Sequence, residues 1–203
     1  MGFDSKNSAA PDGRPGTGHA TIRAFVCTSL SNDGMEEIVR FIGGLKKFSG
    51  FKWVAKDTLH ITLKFLGETK SDQITRLDTH LSRIGGFSPF GVTMSGVGAF
   101  PDLSSPRVLW MGVGEGKGQL IKLAASVDRA ALASGFEEER RTFHPHLTLA
   151  RARTGSPPHM PAELAEMLKS CPMPSWTCNG LTLMRSRLSP GGPTYTPIAR
   201  FSL

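Results

Sequence analysis

His60-Ile61-Thr62-Leu63 and His146-Leu147-Thr148-Leu149 repeat one pattern in the two halves of the chain. In each copy a His and a Thr stand one residue apart inside an apolar run. On a β-strand, residues i and i+2 point the same way. Each copy therefore presents an imidazole and a hydroxyl side by side on one face. Two such strands facing each other gather two histidines around one small anionic group.

The residues around each copy read as alternating elements. Before the first copy, Ile22–Cys27 reads as a strand. Met35, Ile38, Val39, Ile42 and Leu45 then fall on one helical face, with Asp33 and Glu36 as a capping box and Gly43-Gly44 weakening the end. The first motif strand runs from Leu59 to Leu66. Ile61, Leu63 and Phe65 turn inward, and His60, Thr62 and Lys64 form a polar outer row. Ser71 caps a second helix through Ile74, Leu77, Leu81 and Ile84, stopped by Gly85-Gly86. Strands are predicted over 91–100 and 107–113, and a third helix uses Leu120, Leu123, Ala124, Val127 and Ala131. The second motif strand spans Phe143 to Arg151. A short helix begins at Pro161, and strands near 177–187 and 194–201 end the chain.

Each half thus holds strands, helices and one His-x-Thr strand. The predicted fold is α+β: bilobal, with pseudo-duplicated antiparallel sheets, helices on the outer faces, and a central cleft carrying both motifs. Residues 1–20, rich in Gly, Pro, Ser, Asp and Asn, read as a flexible tail, and 21–203 as one bilobal domain.

Composition is that of an ordinary globular chain: 203 residues, 39% hydrophobic and 20% charged. Lys and Arg number 24 against 17 Asp and Glu, a formal charge of +7 that favours anionic partners such as RNA. Three cysteines, Cys27, Cys171 and Cys178, make no even disulfide framework, and their spacing is not that of a zinc site, so they read as reduced, buried thiols. There is no apolar run of membrane-spanning length and no leader pattern. The expectation is a cytoplasmic monomer with no membrane partner, no cofactor and no metal.

The chemistry follows from the side chains. Histidine has an ordinary pKa of ~6.5, so one ring can donate a proton while the other accepts one. Threonine hydroxyls can hold non-bridging phosphate oxygens. A water activated by one His attacks phosphorus while the other His protonates the departing ribose oxygen, and no metal is required. No Walker A sequence, metal-spaced carboxylate cluster or Ser-His-Asp arrangement competes with this reading.

Further stretches lie around the motifs: Lys52-Trp53-Val54, Leu59 through Gly67, Gly98-Ala99-Phe100-Pro101, Pro106 through Trp110, Phe143 through Arg151, and Ser186 through Pro193 with Tyr195. Together and in this order they resemble the 2H phosphoesterases, specifically the bacterial and archaeal RNA 2′,3′-cyclic phosphodiesterases of the 2′-5′ RNA ligase family. The resemblance runs from about residue 22 to the C-terminus. It implies a bilobal fold and hydrolysis of a 2′,3′-cyclic phosphate, on an RNA end or a cyclic nucleotide, to a 2′-phosphate. It implies His60 as proton donor, His146 as acceptor, Thr62 and Thr148 on the phosphate oxygens, and Arg151 adding positive charge beside them. Simple alternation puts Arg151 on the opposite face from His146, so a bulge, twist or bend must turn it inward.

Two alternatives stay open. The same histidines can join a cyclic end to a 5′-hydroxyl, making a 2′-5′ linkage, or the cleft can bind RNA ends without turnover. His144 shares the parity of His146 and reads as a structural or rim residue. Lys64 either meets the RNA backbone or is solvated. Phe25, Phe100, Trp53 and Trp110 read as core, with base stacking as the alternative, and Arg23 and Arg107 are candidate phosphate contacts. His19, His80 and His159 are given no role.

Overall fold

The computed structural model describes residues 21–153 and 159–203; the tail expected over 1–20 lies outside them. The elements in order are β1 (Thr21–Thr28), α1 (Asn32–Leu45), β2 (Phe51–Trp53), a 3-10 turn (Lys56–Thr58), β3 (Ile61–Lys70) and α2 (Ser71–Leu81). There follow β4 (Phe90–Phe100), β5 (Val108–Val113), α3 (Lys117–Ala133), β6 (His146–Ala152), α4 (Ala162–Lys169), β7 (Ser175–Cys178), β8 (Gly180–Ser189) and β9 (Gly192–Ser202).

The fold is α+β, as expected, with four helices among the described residues and antiparallel pairing wherever strands meet. The strands form a single sheet in the order β7-β4-β5-β6-β3-β1-β8-β9, with β2 added on β6. This differs from two separate sheets meeting across a cleft. The motif strands β3 and β6 are hydrogen-bonded neighbours at the middle of the order, and the join is one residue pair, Ile61 with Leu147. Both side chains are fully buried.

The helices bury the other side of that join. Ile38, Ile42 and Leu45 of α1, Leu77 and Leu81 of α2, and Leu120, Leu123 and Val127 of α3 share one core with Ala24, Val26, Ile61, Leu63, Leu147 and Leu149. Ser31 caps α1 by accepting a hydrogen bond from the Gly34 N–H, so Asp33 falls inside the first turn rather than at the cap. α1 also runs through Gly43 and Gly44 to Leu45, because Leu45 is buried in the core and holds the turn in place. Ser71 is likewise the first helical residue of α2, and the Gln73 side chain accepts from the Lys70 N–H in front of it.

Two departures come from short strands. β2 has three residues, in a stretch where no strand is expected. The strand expected over 177–187 is two strands on different parts of the sheet: β7 pairs with β4, β8 pairs with β1, and the break is at Asn179. Among the described residues no helix is long and apolar enough to cross a membrane. The three cysteines are free and buried.

Candidate active site

His60 stands immediately before β3, where the 3-10 turn delivers the chain to the sheet. Its Nδ1 lies 2.7 Å from the carbonyl of Thr58, two residues earlier. His146, the first residue of β6, repeats the contact: its Nδ1 lies 2.7 Å from the carbonyl of His144. A carbonyl only accepts, so both Nδ1 atoms carry the proton, and each neutral ring has its lone pair on Nε2. His60 Nε2 lies 3.0 Å from the Thr62 hydroxyl.

The Ile61–Leu147 pair fixes the rest. Because the strands are antiparallel about that pair, Thr148 falls beside His60, and Thr62 falls beside His146. The His and Thr side chains are half-buried, while Ile61, Leu63, Leu147 and Leu149 between them are buried in the core. Both motifs thus open on the helix-free face of one sheet.

A bulge brings in Arg151. Leu109 pairs with Ala150 and Trp110 with Thr148, which leaves Leu149 without a partner on β5. Leu149 and Ala150 are both buried, so the alternation slips by one. Arg151 therefore returns to the face of His146 and Thr148. Its charge reaches His60, His146 and Tyr195.

The first motif carries the same device at the same place. Cys27 pairs with Thr62 and Val26 with Lys64, leaving Leu63 as the extra residue. This overturns two sequence expectations. Lys64, read into the outer row, points into the protein with its side chain 6% exposed, paired with Asp128 of α3 and donating to the Glu137 carbonyl at 2.9 Å. Phe65, read as inward, is 64% exposed on the His60 face.

Aromatic rings border both histidines. Phe25 and Tyr195 lie 4.8 and 5.3 Å from His60, and Phe100 and Trp110 lie 5.2 and 6.0 Å from His146, centroid to centroid. Phe25 is buried, but against His60 rather than in the helix-side core, and Phe100 is exposed. Trp110 is half-buried with its ring over Gly98, where a Cβ would come within 2.3 Å. Trp53 is half-buried against the core. Tyr195, part of the resemblance but with no role expected of it, is carried to His60 by the β8–β9 pairing.

Burial dominates the electrostatics. It pushes the His60 pKa down to about 4, with the charges of Arg151 and His146 adding to the effect and the Thr58 carbonyl opposing it. His146 is lowered for the same first reason, helped by Arg151 and His144. Both rings are therefore neutral near pH 7 in the free protein, with Nε2 lone pairs facing out. A bound phosphate, being an anion, shifts both back toward the charged form.

Of the remaining candidates, His144 precedes β6 and is exposed; Pro145 separates it from the strand, and its contribution is the carbonyl that holds His146. Arg23 is exposed on β1, opposite Glu68 and Ser186, and its charge reaches Tyr195. Arg107 is exposed just ahead of β5. His80 sits in the last turn of α2 and His159 is exposed. Among the described residues no three His, Cys, Asp or Glu side chains gather as metal ligands would.

The chain is 34% identical over 183 residues to an RNA 2′,3′-cyclic phosphodiesterase of Archaeoglobus fulgidus, a match covering 89% of this chain and 99% of that one. It is 32% identical over 184 residues to the protein of the same name from Methanothermobacter thermautotrophicus, covering 90% and 99%. Among solved structures, E. coli LigT in complex with 3′-AMP superposes with a TM-score of 0.72 at 29% identity, covering 91% of this chain and 99% of that one. The family model for the 2′-5′ RNA ligase superfamily matches residues 35–189, a span containing both histidine motifs and Arg151, and the chain belongs to that superfamily.

Proposed function

We propose that this chain hydrolyses RNA 2′,3′-cyclic phosphodiester ends to 2′-phosphomonoesters by paired-histidine acid–base catalysis, without a metal. The observation that carries the reading is the matched pair of rings on one sheet face, each with its Nδ1–H held by the carbonyl two residues back and its Nε2 left to act as acid or base. The two lobes, in this reading, are degenerate copies: β1-α1-β3 and β5-α3-β6 each run strand, helix, motif strand, and each motif strand bulges at the Leu after its Thr.

His146 Nε2 takes a proton from the attacking water as its oxygen bonds to phosphorus. The bond from phosphorus to O3′ breaks, and protonated His60 gives its Nε2 proton to O3′. The 2′-phosphomonoester remains. Thr62, Thr148 and Arg151 hold the non-bridging oxygens as charge builds on them. The two histidines supply both proton transfers, which is why a metal-bound water is not called for. That relatives carry the name RNA 2′,3′-cyclic phosphodiesterase, and that a related fold was crystallised with 3′-AMP, support the substrate class.

The test is product identification on a 2′,3′-cyclic nucleotide and on a cyclic-phosphate oligonucleotide, in EDTA. A 2′-phosphate is expected. A 3′-phosphate product, or activity lost on chelation, overturns the mechanism. His60→Ala and His146→Ala should each lower kcat about 100-fold or more with the fold intact. The name of the superfamily favours one second reading, ligation of the cyclic end to a 5′-hydroxyl through the same site run in reverse. An end-labelled acceptor in the same assay measures it.

A further inference from the structure

Charge on this molecule is sorted by element. Of the nine strands among the described residues, β3 alone carries a carboxylate, Glu68 at its far end; β2, β5, β6, β8 and β9 have no Asp or Glu. The surroundings of the second motif extend the pattern, since no Asp or Glu occurs between Glu37 and Asp57, between Glu139 and Glu163, or after Glu166. On this acid-free part of the sheet, β2 pairs with β6 so that Lys52 stands opposite Arg151. Paired residues share a face, so Lys52 lies on the face that holds both histidines.

The next outward step is also cationic. The Arg153 N–H donates to the Gly50 carbonyl at 3.0 Å, continuing the β2–β6 register, so two-residue alternation returns Arg153 to the Arg151 face. Its Nε donates to the Ser49 carbonyl at 2.9 Å, which holds the guanidinium in place and leaves its other N–H groups available. Lys52 reaches toward the β8–β9 turn; a Cβ on Gly192 would sit 3.3 Å from Lys52 Nζ. Lys52 and Arg153 are exposed, and neither is in an ion pair among the described residues. The His60 side differs. There the exposed neighbour is Phe65, and Arg23 faces Glu68.

We infer that Lys52 and Arg153 form a phosphate track for a single-stranded RNA chain, holding the backbone phosphates that precede the reacting end as the strand leaves the catalytic face past Arg151. The inference rests on the function proposed above and narrows it: the preferred substrate is an oligonucleotide end rather than a cyclic mononucleotide. Cations of this kind position a nucleic acid without reading its bases, and their contribution declines with salt.

The experiment compares the full chain with Lys52→Gln, Arg153→Gln and the double variant. Binding of a fluorescent six-nucleotide RNA with a non-reactive 3′-phosphate end is measured by anisotropy across a salt series. Hydrolysis of a cyclic mononucleotide and of a cyclic-phosphate hexamer is measured in parallel. The double variant should bind the hexamer about tenfold or more weakly, with the slope of log affinity against log salt reduced by about 2. The preference for hexamer over mononucleotide in kcat/KM should fall by a similar factor. Unchanged hexamer affinity and salt slope, or a wild-type chain with no preference for the hexamer, overturns the track. Lys52→Gln, which removes no hydrogen bond of the fold, keeps the test decisive if Arg153→Gln disturbs the Ser49 contact. Absence of any hydrolysis by the wild type would defeat the proposed reaction instead, and the binding series reads the track independently of it.

Discussion

At His60 the hydrogen bond and the burial pull in opposite directions. The Thr58 carbonyl favours an imidazolium, and the aromatic, half-buried setting disfavours it, with burial the larger effect. In the proposed reaction His60 must be charged and His146 neutral, so kcat/KM should follow a bell in pH whose limbs, read in the free protein, lie below the ordinary histidine value. Substrate brings a negative charge to both rings, so the limbs of kcat should sit at higher pH than those of kcat/KM. Arg151 lowers both histidines, and Arg151→Gln should therefore move the limbs toward alkaline pH as well as reduce the rate. A full pH profile of the variant checks the sign; limbs that stay put would show that Arg151 does not act on the rings.

The bulges at Leu63 and Leu149 decide what each motif strand presents beyond its Thr. The sequence made the His-x-Thr faces legible because strict alternation holds from His to Thr in both copies. It misassigned Lys64 and Phe65 because one extra residue inverts every side chain that follows. At Arg151 the family resemblance asks for a cation beside the phosphate and simple alternation denies it, so a bulge, twist or bend is expected there. At Lys64 no such conflict showed, because the partner Asp128 is far away in sequence, on α3. The short strands β2 and β7 were invisible for a different reason: three or four residues carry too little periodicity to separate from a loop. Lys64→Met should strand Asp128 and cost about 3 kcal/mol, with Lys64→Met/Asp128→Leu recovering much of the loss. Denaturant unfolding of the three proteins measures this, and additive losses in the double variant would contradict a coupled pair.

For the whole molecule, the depressed histidines tie stability to pH. His60 is about 4 when folded and ~6.5 when unfolded, so between those values the unfolded chain binds the extra proton. Its contribution is fully present above about pH 6.5 and is lost as the pH falls toward 4. His146 adds in the same direction. Melting temperature should drop across that window, and less steeply in a His60→Gln variant; an identical slope would locate the acid sensitivity elsewhere. The sorting of charge has a matching expectation, since a sheet with one carboxylate among its described strands, its acids placed instead on helices and loops, orients the molecule toward a polyanion before contact. Association with RNA should slow as salt rises.

One residue pair, Ile61 with Leu147, stitches the two motif strands together, and each imidazole is moored two residues back, on the segment that leads into its own strand. Spacing and aim are thereby assigned to different parts of the chain. A flexing of that single stitch alters the gap between the two Nε2 atoms and leaves each ring's heading relative to its own threonine unchanged. The two are separable faults: a displaced pair alters the reach from ring to ring, whereas a lost mooring alters the heading of one ring alone.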